Sequence, residues 1–369
     1  MKTEFAYSEP VRIFFGEGER KRLKEIAGSL GLSRGILIAD AFLAKNGVAE
    51  EIAKDAHLCA VFSEFAVDPD IKAADAAADL AREKRVDHIV ALGGGSAMDL
   101  AKFLSVAVGS GRSAEELFYG EIPERSIPVI ALPTTAGTGS EVTGVSVMSD
   151  KSRGVKKPLS SPAFFVAAAV VDPALTLTLP PFATAVCGID AVAHALEAYW
   201  CRRHNPVSDA LAEKALKLLF GGFDRAYDDG SDLAARTDMS MGALLAGMAF
   251  APTRTAAVHA CSYPLSEMFG MPHGEACAFT LDLFTRLNSR IDRERMDALA
   301  HSLGYASPDA LADEIARMKA KTGMRSTLGE IGCGDIGALA EACAGHPLML
   351  NNVKAFSAEE LKAAFGGLA

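Results

Sequence analysis

The feature that most constrains this chain is a change of rhythm at Pro180-Pro181. Before it, short β-rich runs alternate with helical stretches. Val11–Phe15 alternates and ends at Gly16, and Gly35–Ala39 is apolar and closes on Asp40. Leu58–Phe62, His88–Leu92 and Ile127–Leu132 are further short apolar runs, bounded by turn or charged residues. Helical patterns fill Ile71–Lys84 and Ala97–Val108. This alternation predicts a parallel sheet with both faces covered. After the proline pair, helical periodicity runs to the end without convincing β runs. It covers Pro206–Phe220, Asp232–Ala249, Asp292–Leu303, Asp309–Lys321 and Ser357–Phe365, the last opening with Ser357 and Glu360 at capping-box spacing. The expected architecture is an α/β N-terminal domain over residues 1–181 and an all-α C-terminal domain over 182–369.

Bulk properties narrow the function. A chain of 369 residues suits two domains better than one core. Its net charge of −10, with no Lys/Arg run, argues against nucleic acid and anionic membrane surfaces and favours a small-molecule partner or another copy of itself. The seven cysteines are scattered, odd in number and without a CxxC pair, which fits reduced thiols in a cytoplasm. No apolar segment follows Met1–Phe5, so no signal peptide is expected, and the apolar stretch 164–171 is too short to cross a bilayer.

Two loops suggest a nucleotide. Gly93-Gly94-Gly95-Ser96 lies between a strand and a helix, where glycines let the backbone approach a pyrophosphate and a helix N-terminus offers N–H groups. Alone this is a weak signal, equally that of a tight βα turn, and it is not a GxGxxG fingerprint. A second hydroxyl- and glycine-rich loop, Pro133–Thr143, also follows a strand. Asp40 closes an earlier strand, where it would accept from ribose hydroxyls and repel a 2′-phosphate, favouring NAD(H) over NADP(H); its plain alternative is an N-cap.

Four residues suggest a metal. Asp190 and His194 stand i, i+4, on one helix face; His259 lies in an apolar helical run, and His273 between Pro272 and Gly274, as on a loop folding back. Imidazoles with one carboxylate suit Fe²⁺ or Zn²⁺. His57, His88, His204, His301 and His346 are expected to be structural.

With these motifs the chain resembles the iron-containing alcohol dehydrogenase family. The stretches that carry the likeness are Gly93–Lys102, Pro133–Thr143, Asp190–Glu197 and His259–Gly274. The resemblance implies a Rossmann-like domain, an all-helical domain of the dehydroquinate synthase-like type, and an active site between them. It implies a metal held by Asp190, His194, His259 and His273, and a pyrophosphate on Gly93, Gly94, Gly95 and Ser96. Asp99, Thr134, Thr135, Thr138, Ser140, Val147 and Leu179 would line the cofactor, with Lys156 or Lys157 near a ribose. Three histidines with Asp190 match the iron branch better than the zinc-using glycerol dehydrogenases. Members are usually dimers or larger.

One departure is Tyr263, which stands four residues after the third ligand, where many members carry a proton-relay histidine. The Ser262–Leu265 string, preceded by Thr253–Ala256, looks like the branch that reduces phosphonoacetaldehyde to 2-hydroxyethylphosphonate. An anionic substrate would want a cation, for which Arg254 and Lys157 are candidates. The expected enzyme is a metal-dependent NAD(P) alcohol dehydrogenase or aldehyde reductase. The alternatives are a metal-independent reductase of the maleylacetate reductase type, a dehydroquinate synthase-type lyase, and a non-catalytic metal- or nucleotide-binding protein.

Overall fold

A computed structural model describes residues 4–368 of the chain. Met1–Thr3, part of the leader-peptide reading, lie outside the described residues. The chain divides into two compact units. One comprises Glu9–Thr135 and Gly139–Thr178; the other comprises Ala136–Thr138, everything from Leu179 onward, and the described N-terminal residues through Ser8.

The first unit is α/β. Its strands are β1 (Arg12–Phe15), β2 (Gly35–Ala39), β3 (Ala60–Phe62), β4 (His88–Gly93), β5 (Val129–Pro133), β6 (Val145–Asp150), β7 (Val155–Ser160) and β8 (Ala168–Val171). Six form a sheet in the order β1-β8-β5-β4-β2-β3, every pair parallel. Strands β2, β4, β5 and β8 are buried along their whole length. That is why they read as continuous apolar runs rather than alternating ones. The helices are α1 (Leu23–Ser29), α2 (Ala41–Lys45), α3 (Val48–Asp55), α4 (Ile71–Glu83), α5 (Gly95–Ser110) and α6 (Ala114–Tyr119). Leu23 and Ile26 of α1 and Ile52 of α3 share one apolar cluster with Leu37, Val90, Leu92, Ile130 and Leu132 of the sheet. Strand order reverses between β2 and β4, the position at which an open parallel sheet leaves a crevice beyond its carboxyl ends.

Three strands escaped the sequence reading. β6 and β7 form an antiparallel hairpin whose second strand, Val-Lys-Lys-Pro-Leu-Ser, mixes polar and apolar residues and is mostly exposed. β8 lies within the apolar stretch at 164–171, flanked by prolines, where no turn signal marks a strand.

The second unit is helical: α7 (Pro181–Trp200), α8 (Pro206–Asp228), α9 (Leu233–Thr253), α10 (Ala257–Phe269), α11 (His273–Ser289), α12 (Arg293–Ser302), α13 (Pro308–Thr322), α14 (Ile336–Gly345) and α15 (Ala358–Phe365). Local chemistry sets their starts. Asn205, Asp232, Ser307, Asp335 and Ser357 accept from first-turn N–H groups, and Ser357 with Glu360 closes the expected capping box. α7 is buried all round from Gly188 to Trp200, the pattern of a helix at the centre of a core. α8, α9, α10 and α11 pack on it.

Candidate metal centre and nucleotide-binding turn

α7 presents Asp190, His194 and Glu197 at i, i+4 and i+7, on one face. His259 is in the first turn of α10. His273 is the first residue of α11 rather than part of a loop: Pro272 sets the preceding extended backbone and the helix starts at once. Gly274 lets α11 come close to α7, since a Cβ there would sit 2.3 Å from the Val186 carbonyl oxygen.

The side chains converge. Asp190 Oδ1 lies 3.7 Å from His259 Nε2 and 3.8 Å from His273 Nε2, and His194 Nδ1 lies 3.9 Å from Asp190 Oδ2. His194 is stacked between Phe250, at 4.2 Å, and His259, at 4.6 Å between ring centres. These polar separations are too long for hydrogen bonds. Asp190 Oδ1, His194 Nδ1 and His259 Nε2 are all buried without a hydrogen-bond partner. Orphaned polar atoms of this kind are costly unless something binds them.

Electrostatics agrees with a cation. Burial disfavours the charged Asp190 carboxylate, but His194, His259 and His273 outweigh it and hold its pKa below the ordinary range. Burial drives the His194 imidazole down to about 4, so it is neutral. Burial also opposes a charged His259, yet Cys277 and Glu197 pull it well above its usual value. The pocket favours positive charge, and an ionised carboxylate among imidazoles, once these give up any proton, is a fitting donor set for a divalent ion. His273 is the exposed member, with 46% of its side chain open, so the centre meets solvent on that side.

Two participants were missed in the sequence. Glu197, completely buried, accepts a hydrogen bond from Val258 N at 2.6 Å, a longer one from His259 N at 3.3 Å, and a very short one from His259 Nδ1. One carboxylate thus caps α10 and turns His259 Nε2 toward Asp190. Its signal was a lone acid in the apolar run Ala195–Trp200, one helix face with Asp190. The other is Cys277. Asp190, His259, His273 and Cys277 each offer one ligand atom, all within 4.8 Å of one another.

Tyr263 stacks on His346 with ring centres 4.7 Å apart and an interplanar angle of 11°, and lies 6.2 Å from the His273 ring. His346, read as structural, therefore faces the tyrosine; its Nδ1 accepts from Leu348 N. The other histidines with visible partners lie in contacts of their own: His57 Nδ1 accepts from Lys24 Nζ, His88 bonds Asp87, and His204 joins Asp209 and Arg295. Arg254 ends α9 one turn beyond Phe250, in the left-handed region at φ 67. Asn351 Nδ2 bonds the carbonyls of Thr253 and Thr255 on either side, at 2.9 Å each. Burial and the neighbouring Arg203 lower the pKa of the Arg254 guanidinium.

In the α/β unit, Gly93 closes β4 at φ 151 and Gly95 opens α5. A Cβ on Gly93 would meet Ala97 Cβ at 2.7 Å and Asp40 Oδ2 at 3.2 Å, and one on Gly94 would meet Thr135 Oγ1 at 3.4 Å. Thr135 Oγ1 is buried and unpartnered, and Thr134 N donates to Gly93 O. The turn thus has no room for a side chain at residue 93, and it lies at the strand-order reversal. Asp40 is the N-cap of α2 through Oδ1, with Oδ2 toward Gly93. Ser96 Oγ accepts from Asp68 N, and Asp68 pairs with Lys156 at 2.7 Å. Lys157 lies over the rings of Phe118 and Tyr119. Asp99 accepts from Val147 N and Ser140 Oγ, while the buried Lys102 ammonium donates to Ser140 and to the carbonyls of Thr143 and Val145. Those residues stitch α5 to the second loop and the β6–β7 hairpin. Thr138 and Leu179 belong to the helical unit, where the Leu179 carbonyl accepts from Arg236.

Residues 10–173 match the family described as iron-containing alcohol dehydrogenase, and residues 184–366 match its C-terminal counterpart. A long-chain-alcohol dehydrogenase of Geobacillus thermodenitrificans is 34% identical over 333 residues, covering 86% of this chain and 84% of that protein. A sulfoacetaldehyde reductase of Bilophila wadsworthia is 31% identical over 304 residues, 81% and 79% of the two chains. The crystal structure of a sulfoacetaldehyde reductase from Bifidobacterium kashiwanohense, in complex with NAD⁺, superposes with a TM-score of 0.96 at 36% identity, covering 100% and 99% of the two chains.

Proposed function

The chain belongs to the iron-containing alcohol dehydrogenase family, and from that premise we propose that it reduces a short aldehyde bearing an anionic tail, a phosphonate or sulfonate, with NADH. It is an NAD-dependent oxidoreductase of alcohols and aldehydes. The observation that carries the catalytic reading is the convergence of Asp190, His259 and His273 on orphaned buried atoms.

Asp190, His194, His259 and His273 would hold a divalent cation, Fe²⁺ by this reading, with Zn²⁺ the competitor. Such a cation supplies Lewis acidity toward an aldehyde or alcohol oxygen. The remaining work is the protein's. Glu197 fixes the His259 tautomer. The Gly93–Ser96 turn and the N-terminus of α5 receive the pyrophosphate, and Thr134, Thr135, Thr138, Ser140, Asp99, Val147, Leu179 and Lys156 frame the dinucleotide. Asp40 accepts from the adenosine ribose and repels a 2′-phosphate, favouring NAD(H). A dinucleotide held by these residues would supply the hydride chemistry toward a carbonyl carbon. Tyr263, stacked on His346, delivers the proton. The helical unit is the metal domain and the α/β unit the cofactor domain.

The anionic tail is supported by Arg254. Its half-buried guanidinium sits beside a second arginine, one turn past the residue that stacks on His194, on a strained and pinned backbone. Lys157, already over two aromatic rings, is the weaker candidate. Among the described residues no helix is long and apolar enough to cross a membrane. The seven cysteines, scattered, odd in number and without a CxxC pair, support a reducing, cytoplasmic setting. A homodimer or larger assembly is part of the same reading.

The test is NADH oxidation by Fe²⁺-loaded enzyme without oxygen, comparing phosphonoacetaldehyde and sulfoacetaldehyde with propanal. The anionic substrates should win, and Arg254→Ala should raise their KM about 10- to 100-fold, the worth of a charge-assisted hydrogen bond, while sparing propanal. A clear preference for propanal, or equal losses on all substrates, sinks the anionic reading.

A further inference from the structure

We propose that Cys277 is a ligand of the metal centre, its sulfur joining Asp190, His259 and His273 on one cation. This rests on the reading that those three residues bind a metal.

The placement follows from the start of α11. Because the helix begins at His273, residue 277 lies one turn on, on the same face, as His194 does relative to Asp190. Gly274 holds that face against α7. Cys277 Sγ lies 3.9 Å from His273 Nε2. Donors bound at about 2.3 Å for sulfur and about 2.05 Å for nitrogen stand about 3.1–3.8 Å apart for ligand angles of about 90–120°. The observed spacing is thus close to that of two ligands of one ion.

Independent atoms point into the same space. Asp190 and His259 are 3% and 4% exposed, and their Oδ1 and Nε2 have no hydrogen-bond partner. Each of the four residues offers a ligand atom within 4.8 Å of all the others. A thiol in that position is a soft donor among harder ones. Coordination replaces its proton, which passes to solvent, and the thiolate and carboxylate together neutralise the divalent charge. A sulfur ligand raises affinity for Zn²⁺ relative to Fe²⁺. This chain would therefore hold zinc against iron more stubbornly than a centre of oxygen and nitrogen donors alone.

The experiment loads the full-length metal-stripped protein with one equivalent of Co²⁺ and reads its absorption spectrum. Wild type should show an intense near-ultraviolet thiolate-to-cobalt band. Cys277→Ser should still bind one Co²⁺ and lose the band, whereas Cys187→Ser and Cys261→Ser should keep it. X-ray absorption on the Zn²⁺-loaded wild type needs no variant and should show one sulfur at about 2.3 Å. One bound Co²⁺ without the band, or zinc with only oxygen and nitrogen neighbours, overturns the Cys277 assignment and leaves the metal centre standing. Equal Co²⁺ uptake by wild type and Asp190→Ala, or none by wild type, overturns the metal centre and the assignment with it.

Discussion

Glu197 shows how much a single residue decides in this protein. A fully buried carboxylate surrounded by apolar side chains is expensive unless every lone pair is used. Here it is used twice, on the backbone N–H groups that open α10 and on the His259 ring. The His259 nitrogen that faces Asp190 is thereby set from behind. Glu197→Gln keeps the shape but weakens that hold. Metal affinity, measured by competition with a chromogenic chelator, should fall about 10- to 100-fold with far-ultraviolet circular dichroism unchanged. An unaltered affinity would reduce Glu197 to a helix cap. Tyr263 is the second such residue. Burial holds the facing His346 imidazole below its ordinary pKa, and the Leu348 N–H on Nδ1 leaves the neutral ring's proton on Nε2. Tyr263→Phe should lower kcat while metal content and the KM for NADH stay put. A loss of bound metal instead would recast the tyrosine as structural support for His273.

At the scale of elements, close approach of α11 to α7 does the assembling. The Val186 carbonyl stands where any Cβ on residue 274 would go, and backbone cannot yield as a flexible side chain can. Gly274→Ala should therefore push α11 outward, carrying His273 and Cys277 away from Asp190. Metal content after purification should drop severalfold even where the protein remains folded; full metal loading would show that the helices tolerate the shift. The α5–hairpin contact has a pH signature of its own. Burial raises the Asp99 carboxyl to about 6, though Lys102 and two hydrogen bonds oppose the rise. The folded form thus keeps a proton that the unfolded chain has released. Stability from this group is complete below about pH 3.8 and is lost as pH rises through about 6. Lys102, lowered by burial to about 8, titrates above that window. Between pH 5 and 7 Asp99 should cost about 1 kcal/mol of stability. Asp99→Asn should flatten that slope in urea titrations, and an unchanged slope would assign the pH dependence elsewhere.

For the whole molecule, the proposed ligands come from three helices of one unit, α7, α10 and α11, and none from the α/β unit. A cation would staple those helices together, while a dinucleotide would act mainly on the other unit. Metal at 100 times its Kd adds about 2.7 kcal/mol to whatever unfolds with the site. For a unit of this size that is a rise of roughly 5–10 °C. Stripping the metal should lower a calorimetric transition by that amount and speed hydrogen exchange in α7, α10 and α11, leaving exchange in β2, β4 and β5 unchanged. NADH should protect the turn after β4 instead. Equal effects of metal on both units would contradict this division.

Local regularities along the chain determined a good deal. Fully buried parallel strands are apolar throughout, so β2, β4 and β5 were legible as runs, and the helical half was legible from its 3.6-residue period. Asp190 and His194 were legible as a pair because a helix turn is a short-range fact. Tertiary structure decided the rest, because it depends on which atoms approach across large separations in sequence. Only packing shows that Glu197 reaches the start of α10, that His346 faces Tyr263, or that Cys277 shares a pocket with Asp190. The hairpin β6–β7 escaped for the same reason: its strands are held by each other's backbone, and a backbone partner leaves no mark in the side chains.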